Sequence, residues 1–177
     1  MRKIKFFIDD EKEERWINGM CAQGWHLKKF ATCFYTFEKG EPGQYIYRNE
    51  MLKEFVLTPQ ARDYLAFVEE TGAEFVHRSG YWVYFRQEAS KGNFELYSDG
   101  VSKLAYLQRM RNAFLIIFIL NVFAVLLNFN LFLTGNHASI NGFTALFNIV
   151  ICILLGIALA KIFERKKKVE EQSQILE

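Results

Sequence analysis

The sequence has only three cysteines, and no two of them stand in a Cys-x-x-Cys pair. Cys21 and Cys33 fall in the N-terminal part and Cys152 inside an oily run, so neither a disulfide framework nor a zinc site is expected. An excess of one charge is lacking too, since residues 1–112 carry 17 Lys and Arg against 16 Asp and Glu. That balance argues against a nucleic-acid binder acting through a basic face. The opening MRKIKFFIDDEKEE turns acidic after a few mixed residues and holds no apolar core of signal-peptide length, so no cleavage is expected. Catalytic motifs are missing as well. His26 and His77 each stand alone on a strand, without a second histidine at metal spacing or a Ser, Cys or Asp motif nearby, and read as surface or satisfied core residues. His137 reads as a solvated loop residue. No catalytic residue, cofactor or metal is therefore nominated, and the chain is not expected to be an enzyme.

Long apolar runs, by contrast, are present twice. AFLIIFILNVFAVLLNFNLFL (113–133) and FTALFNIVICILLGIALAKIF (143–163) each have about the ~20 residues a helix needs to cross hydrocarbon. Two adjacent segments apolar on every side would need a larger core than 177 residues can build, which disfavours buried helices of a soluble domain. Lys103, Arg109 and Arg111 precede the first run, and Lys161 and Arg165 to Lys168 end or follow the second. The connector TGNHASING (134–142) carries no charge beyond His137. Positive flanks stay inside, so both termini are expected in the cytoplasm of a multi-pass cell-membrane protein. The cation run RKKK (165–168) serves as a topology anchor toward anionic headgroups.

The first hundred residues read as a sheet domain. IKFFI (4–8) suggests a strand, Asp9 and Asp10 a helix cap, and Trp16, Ile17, Met20 and Cys21 the apolar side of a helix over about 11–23. Glu11, Glu13, Glu14 and Arg15 are assigned to its first turn or wet side. Gly24 closes it, and WHLKKFATCFYTFE follows as a strand with an irregularity near Ala31 and Thr32. The KGEPG turn then predicts a hairpin with QYIYRNEML. Thr58-Pro59 starts a second helix, with Ala61, Tyr64, Leu65 and Val68 on its stripe and Gly72 at its end. AEFVHRSGYWVYFRQE and NFELYSDG supply further strands.

Laying Gly24 on Gly72 places Leu27 on Phe75, Phe34 on Trp82 and Phe37 on Phe85; one more residue of slip places Tyr45 on Phe94, Tyr47 on Leu96 and Glu50 on Asp99. This is read as a duplicated helix-hairpin, as in a ferredoxin-like α+β sheet with an added strand. Of the 29 aromatic residues, those outside the oily runs concentrate on these strands and mostly supply core. Tyr45, Tyr47, Trp82 and Tyr84, taken to face away from the helices, form a candidate binding face. In the oily runs, Asn121 and Asn128 share one helix face. Asn148, Cys152, Gly156 and Ala160, four apart, form a candidate helix-packing ridge. Neither run has a strongly ionisable residue in its core, which disfavours a transport path.

The stretch GWHLKKFATCFYTFEKGEPGQYIYRNE (24–50), together with FELYSD (94–99), resembles a bacterial membrane family known as domain of unknown function 2812. The resemblance implies a cytosolic domain followed by membrane helices in Gram-positive bacteria, often encoded near PadR-like repressors, and brings no activity, catalytic residue or ligand with it. The sequence thus predicts a cytosolic α+β domain (1–98), a connecting helix (99–112), two transmembrane helices (113–133 and 143–163) around an external loop (134–142), and a basic then acidic tail (164–177). The expected partners are the lipid bilayer, a cytosolic protein and a further copy of the chain, with no nucleic acid. The function expected is binding of a protein partner or small ligand in a regulatory or stress-response role; the alternative is a transporter accessory or transport subunit.

Overall fold

Helix α1 (Asp10–Ala22) begins where Asp9, in extended backbone, accepts the N–H of Lys12 on its side chain at 3.3 Å. It stops where Gly24 adopts φ +79 and its N–H closes on the carbonyl of Cys21 at 2.9 Å. A side chain there would also meet the carbonyl oxygen of Gly40 at 3.0 Å. The computed structural model describes residues 1–55, 58–97, 99–135 and 137–175, and the chain divides into two units, Met1–Asp99 and Gly100–Glu177.

The first unit is α+β. Strand β1 (Arg2–Ile4) precedes α1, and β2 (Trp25–Ala31), β3 (Phe34–Lys39) and β4 (Tyr45–Met51) follow it. Next come α2 (Pro59–Glu70), β5 (Glu74–Ser79), β6 (Trp82–Glu88) and a short 3-10 turn, Ala89–Lys91. Thr58 caps α2 by accepting the N–H of Ala61 at 3.1 Å, and Pro59 occupies the first turn, where its missing donor costs nothing.

The strands pair as two antiparallel three-stranded sheets, β1-β3-β2 and β4-β6-β5, whereas the ferredoxin-like expectation was one sheet. Three local readings change with this. The stretch 25–38 is a β2-β3 hairpin, because Thr32 takes φ 57 and reverses the chain where only an irregularity was expected. The KGEPG loop consequently leaves β3 without pairing it to β4, which crosses to the second sheet and pairs with β6. Described residues of 94–99 form no strand; Phe94 instead buries its ring beside Val83 and Phe85.

The duplication nevertheless has a structural counterpart at the offset of the helix-hairpin alignment. A register shift falls between Leu27 and Lys29 in β2 and between Phe75 and His77 in β5. Thr32 at φ 57 matches Gly80 at φ 60, and Gly24 matches Gly72, both at positive φ. What changes is the unit that repeats. Ile4 pairs with Phe34 as Met51 pairs with Trp82, and Lys3 with Tyr35 as Glu50 with Val83. The repeat is therefore strand-helix-strand-strand, β1-α1-β2-β3 and β4-α2-β5-β6, and the placement of Tyr45 on Phe94 does not hold.

The core of this unit has two parts. Ile17, Met20 and Cys21 of α1 bury against Leu27, Phe30, Tyr35 and Phe37 of the first sheet and against Tyr47 and Tyr84 of the second. Val68 of α2 buries with Val83, Phe85, Leu52, Ala73 and Phe94.

The second unit is a hairpin of two long helices, α3 (Gly100–Leu133) and α4 (Ala138–Ile175), both long and apolar enough to cross a membrane. Each runs well past its apolar segment, with no break between 100 and 133 in α3. Gly142 lies under the ring of Phe132, where an added Cβ would come within 3.0 Å.

Candidate functional site

One side of α1 is polar where its packing partners are apolar. Asp10, Glu14 and Asn18 recur every four residues and so stand in one row, with Glu13 beside them. That row meets β4, the outer strand of its sheet. The Asn18 amide donates to the carbonyl of Tyr47 at 3.1 Å and to that of Glu14 at 2.9 Å, while its oxygen accepts the N–H of Tyr47 at 2.8 Å. Glu14 accepts the N–H of Asn49 at 2.8 Å, with Arg48 at 3.8 Å. A helix thus satisfies by side chains the backbone groups that an edge strand would otherwise present for pairing.

Glu13 goes deeper. Only 7% exposed, it accepts the hydroxyl of Tyr35 at 2.8 Å and that of Tyr84 at 2.6 Å. Tyr35 lies on β3 and Tyr84 on β6, so one carboxylate joins α1 to both sheets. Burial pushes its pKa up, more than the two tyrosine hydrogen bonds bring it down. Burial raises Glu14 as well, to about 7, against the Asn49 hydrogen bond and the charge of Arg48. The Tyr35 hydroxyl is pushed up by burial and then by the neighbouring Glu13. Glu50, also buried, accepts a short hydrogen bond from the Tyr64 hydroxyl on α2. Among the described residues, no group of three His, Cys, Asp or Glu side chains comes together as ligands would. What this arrangement can do is change how firmly α1 is held as protons come and go.

Sequence reasoning placed Glu13 and Glu14 in the first turn or on the wet side, and the structure buries Glu13 in the core. The signal was available, since Glu13, Ile17, Met20 and Cys21 fall on one stripe. The aromatic face is also differently disposed from its expectation. Tyr47 and Tyr84 are each 1% exposed and pack toward α1, with the Tyr84 ring 5.0 Å from Phe30. Tyr45 and Trp82 are half-buried against the same core; Arg86 lies 4.1 Å over the Tyr45 ring, and His26 meets it edge-on at 5.1 Å. His26 itself is buried and bonded to the carbonyl of Glu41 at 2.8 Å, its ring filling the space a Cβ on Gly40 would need. His77 is half-buried, and burial lowers its pKa.

In the helical hairpin, the expected ridge splits. Asn148 and Cys152 are half-buried, but a Cβ on Gly156 would meet nothing within 4 Å and Ala160 is exposed. A row of fours advances about 40° per step around a helix and so turns off any one face. The buried seam alternates fours and threes instead, through Ala145, Asn148, Cys152, Leu155, Leu159 and Ile162. Asn121 and Asn128 are half-buried on α3, and each asparagine donates at 2.8–2.9 Å to a carbonyl four residues back: Ile117 for Asn121, Ala124 for Asn128 and Thr144 for Asn148.

No curated protein and no solved structure matches the chain. A family profile does, from residue 9 to residue 119, which takes in everything from the cap of α1 to the middle of α3. With well over half of its length covered by that match, the chain belongs to the family described as protein of unknown function (DUF2812).

Proposed function

We propose that the chain is a multi-pass cell-membrane protein in which α3 and α4 cross the bilayer and the α+β unit, in the cytoplasm, binds a protein partner or small ligand in a regulatory or stress-response role. One observation supports it above the rest. Leu, Ile and Phe side chains stand exposed along both helices, among them Ile116, Phe123, Leu126, Phe143, Leu146 and Ile153. Apolar surface on that scale belongs in lipid. The buried carboxylates of the α+β unit hold α1 in place, which favours a binding module over an enzyme. The seam asparagines already donate to their own helix, which disfavours the transport alternative.

Orientation follows from the cations flanking the two apolar segments, which keep both termini cytoplasmic. A single cysteine placed at Ser139, in a chain otherwise free of reactive thiols, should label from outside intact cells, and one placed near the N-terminus should not. Labelling in the reverse order overturns this topology. Copurification of the full-length protein in mild detergent, read by mass spectrometry, should recover a cytosolic protein. Recovery of transporter subunits alone would favour the alternative.

A further inference from the structure

We infer that the outer face of the first sheet docks on an anionic lipid surface, an inference that rests on the membrane reading above. Directly opposed residues of an antiparallel pair share a face. Ile4, Phe34 and Ala31 are therefore one outward row across β1, β3 and β2, and Arg2, Thr36 and Lys29 are the next. Ile4 is 74% exposed, Phe34 57%, and Phe6, two residues beyond Ile4, 70%. Ala31, Arg2 and Lys29 are exposed too. An apolar row thus borders a cationic row, the arrangement by which a protein surface seats apolar side chains at the acyl boundary and basic ones among headgroups.

The second repeat shows that this exposure is not inherent to the fold. Its equivalent row is Met51, Trp82 and Ser79, in which Met51 is buried and the other two are half-buried. Charge differs in the same sense. The strands of the first sheet carry Arg2, Lys3, Lys28, Lys29 and Lys39 against Glu38 alone, which is taken by Lys28 at 2.9 Å. Lys3, opposite buried Tyr35, and Lys39, two residues on from buried Phe37, stand on the other face, which leaves Arg2 and Lys29 as the cations of the outward row. Those of the second balance Arg48, Arg78 and Arg86 against Glu50, Glu74 and Glu88. A second copy set symmetrically on this face would oppose like charges. A nucleic acid would use the cations but leave Ile4, Phe6 and Phe34 in water. An anionic bilayer uses both.

The test takes the full chain with Cys33→Ser and Cys152→Ser, labelled with an environment-sensitive dye on Ala31→Cys and placed in nanodiscs. In discs containing phosphatidylglycerol the dye should shift to the blue and be quenched by a nitroxide on the lipid, while the same dye at exposed Ser90 stays solvated. Discs of phosphatidylcholine alone should lose the effect. Lys29→Gln should weaken it about fivefold, the equivalent of about 1 kcal/mol for one basic side chain at an anionic leaflet. Ile4→Ser should abolish it; if that variant unfolds by tryptophan fluorescence, Lys29→Gln decides alone. The inference is overturned by a dye that stays wet in anionic discs, or by one equally protected in neutral discs. It is also overturned by protection in detergent that follows protein concentration or added RNA. Protease protection of the α3-α4 loop reads insertion separately, so failure of the helices to cross is distinguishable from failure of the sheet to dock.

Discussion

Tyr84 donates its hydroxyl to Glu13, 71 residues earlier in the chain, at 2.6 Å, and so ties the central strand of the second sheet to the first helix. Tyr35 reaches the same oxygen from the first sheet. Three elements distant in sequence meet on one buried carboxylate, and the carboxylate beside it sits where solution pH can reach its titration.

Glu14 carries the first prediction. Below its ordinary value of 4.5, both folded and unfolded chains hold the proton, and the residue is neutral toward stability. Between 4.5 and about 7 the unfolded chain ionises first, so the unfolding free energy should fall as pH rises, by an amount of order 1–3 kcal/mol. Glu13, also raised, adds in the same direction. Glu14→Gln keeps an acceptor for Asn49 and removes the titration, so the slope should shrink. Trp16, Trp25 and Trp82 all lie in the α+β unit, and urea unfolding followed by their fluorescence reads that unit alone. An unchanged slope would mean Glu14 titrates as a surface carboxylate.

Asn18 is the second. Its amide serves both the N–H and the C=O of Tyr47, so Asn18→Ala leaves the Tyr47 N–H of an outer strand without its partner, while the carbonyl keeps the Arg48 guanidinium at 3.1 Å. The cost should be about 1–3 kcal/mol, and exchange of the Tyr47 amide proton should quicken. A slow Tyr47 amide in the variant would show that another group covers the edge.

Local signals carried much of this architecture. The caps at Asp9 and Thr58, the stop at Gly24 and the two apolar helices were all legible because each depends on a few adjacent residues. The offset between repeats was legible in Gly24 and Gly72. Sheet membership was not, because it turned on whether Thr32, a β-branched residue, would accept positive φ; that reversal removed β3 from β4 and left Tyr47 and Tyr84 facing α1. The burial of Glu13 was legible in its place on the apolar stripe of α1, but its partners were not. A carboxylate inside a core makes sense only with its two phenols, and these come from strands that sequence spacing does not bring together.

Thr32 gives the third prediction directly. At φ 57 a β-branched side chain crowds its own backbone, and the matching position in the second repeat is Gly80 at φ 60. Thr32→Gly should stabilise the α+β unit by about 1 kcal/mol, less whatever the added freedom of the unfolded chain returns. Gly80→Thr should destabilise it, since a Cβ there also meets the ring of Phe55 at 3.1 Å. A lower melting temperature for Thr32→Gly would show that the threonine side chain contributes more than its backbone costs.

The last prediction separates two glycines of α4. Gly156 has the position in a row of small residues that suggests close helix approach, yet a Cβ there meets nothing within 4 Å, so Gly156→Leu should leave the hairpin closed. Gly142 has no such row, but the Phe132 ring of α3 lies 3.0 Å from where its Cβ would be. Gly142→Leu must push the two helices apart or turn that ring, at a cost of about 1–3 kcal/mol. Cys152, half-buried in the seam, is a native reporter of opening. In a Cys33→Ser background, with Cys21 buried, its thiol should label several-fold faster in detergent after Gly142→Leu and at the parental rate after Gly156→Leu. The opposite ranking would place the closest approach at Gly156, on the row of fours that its open surroundings argue against.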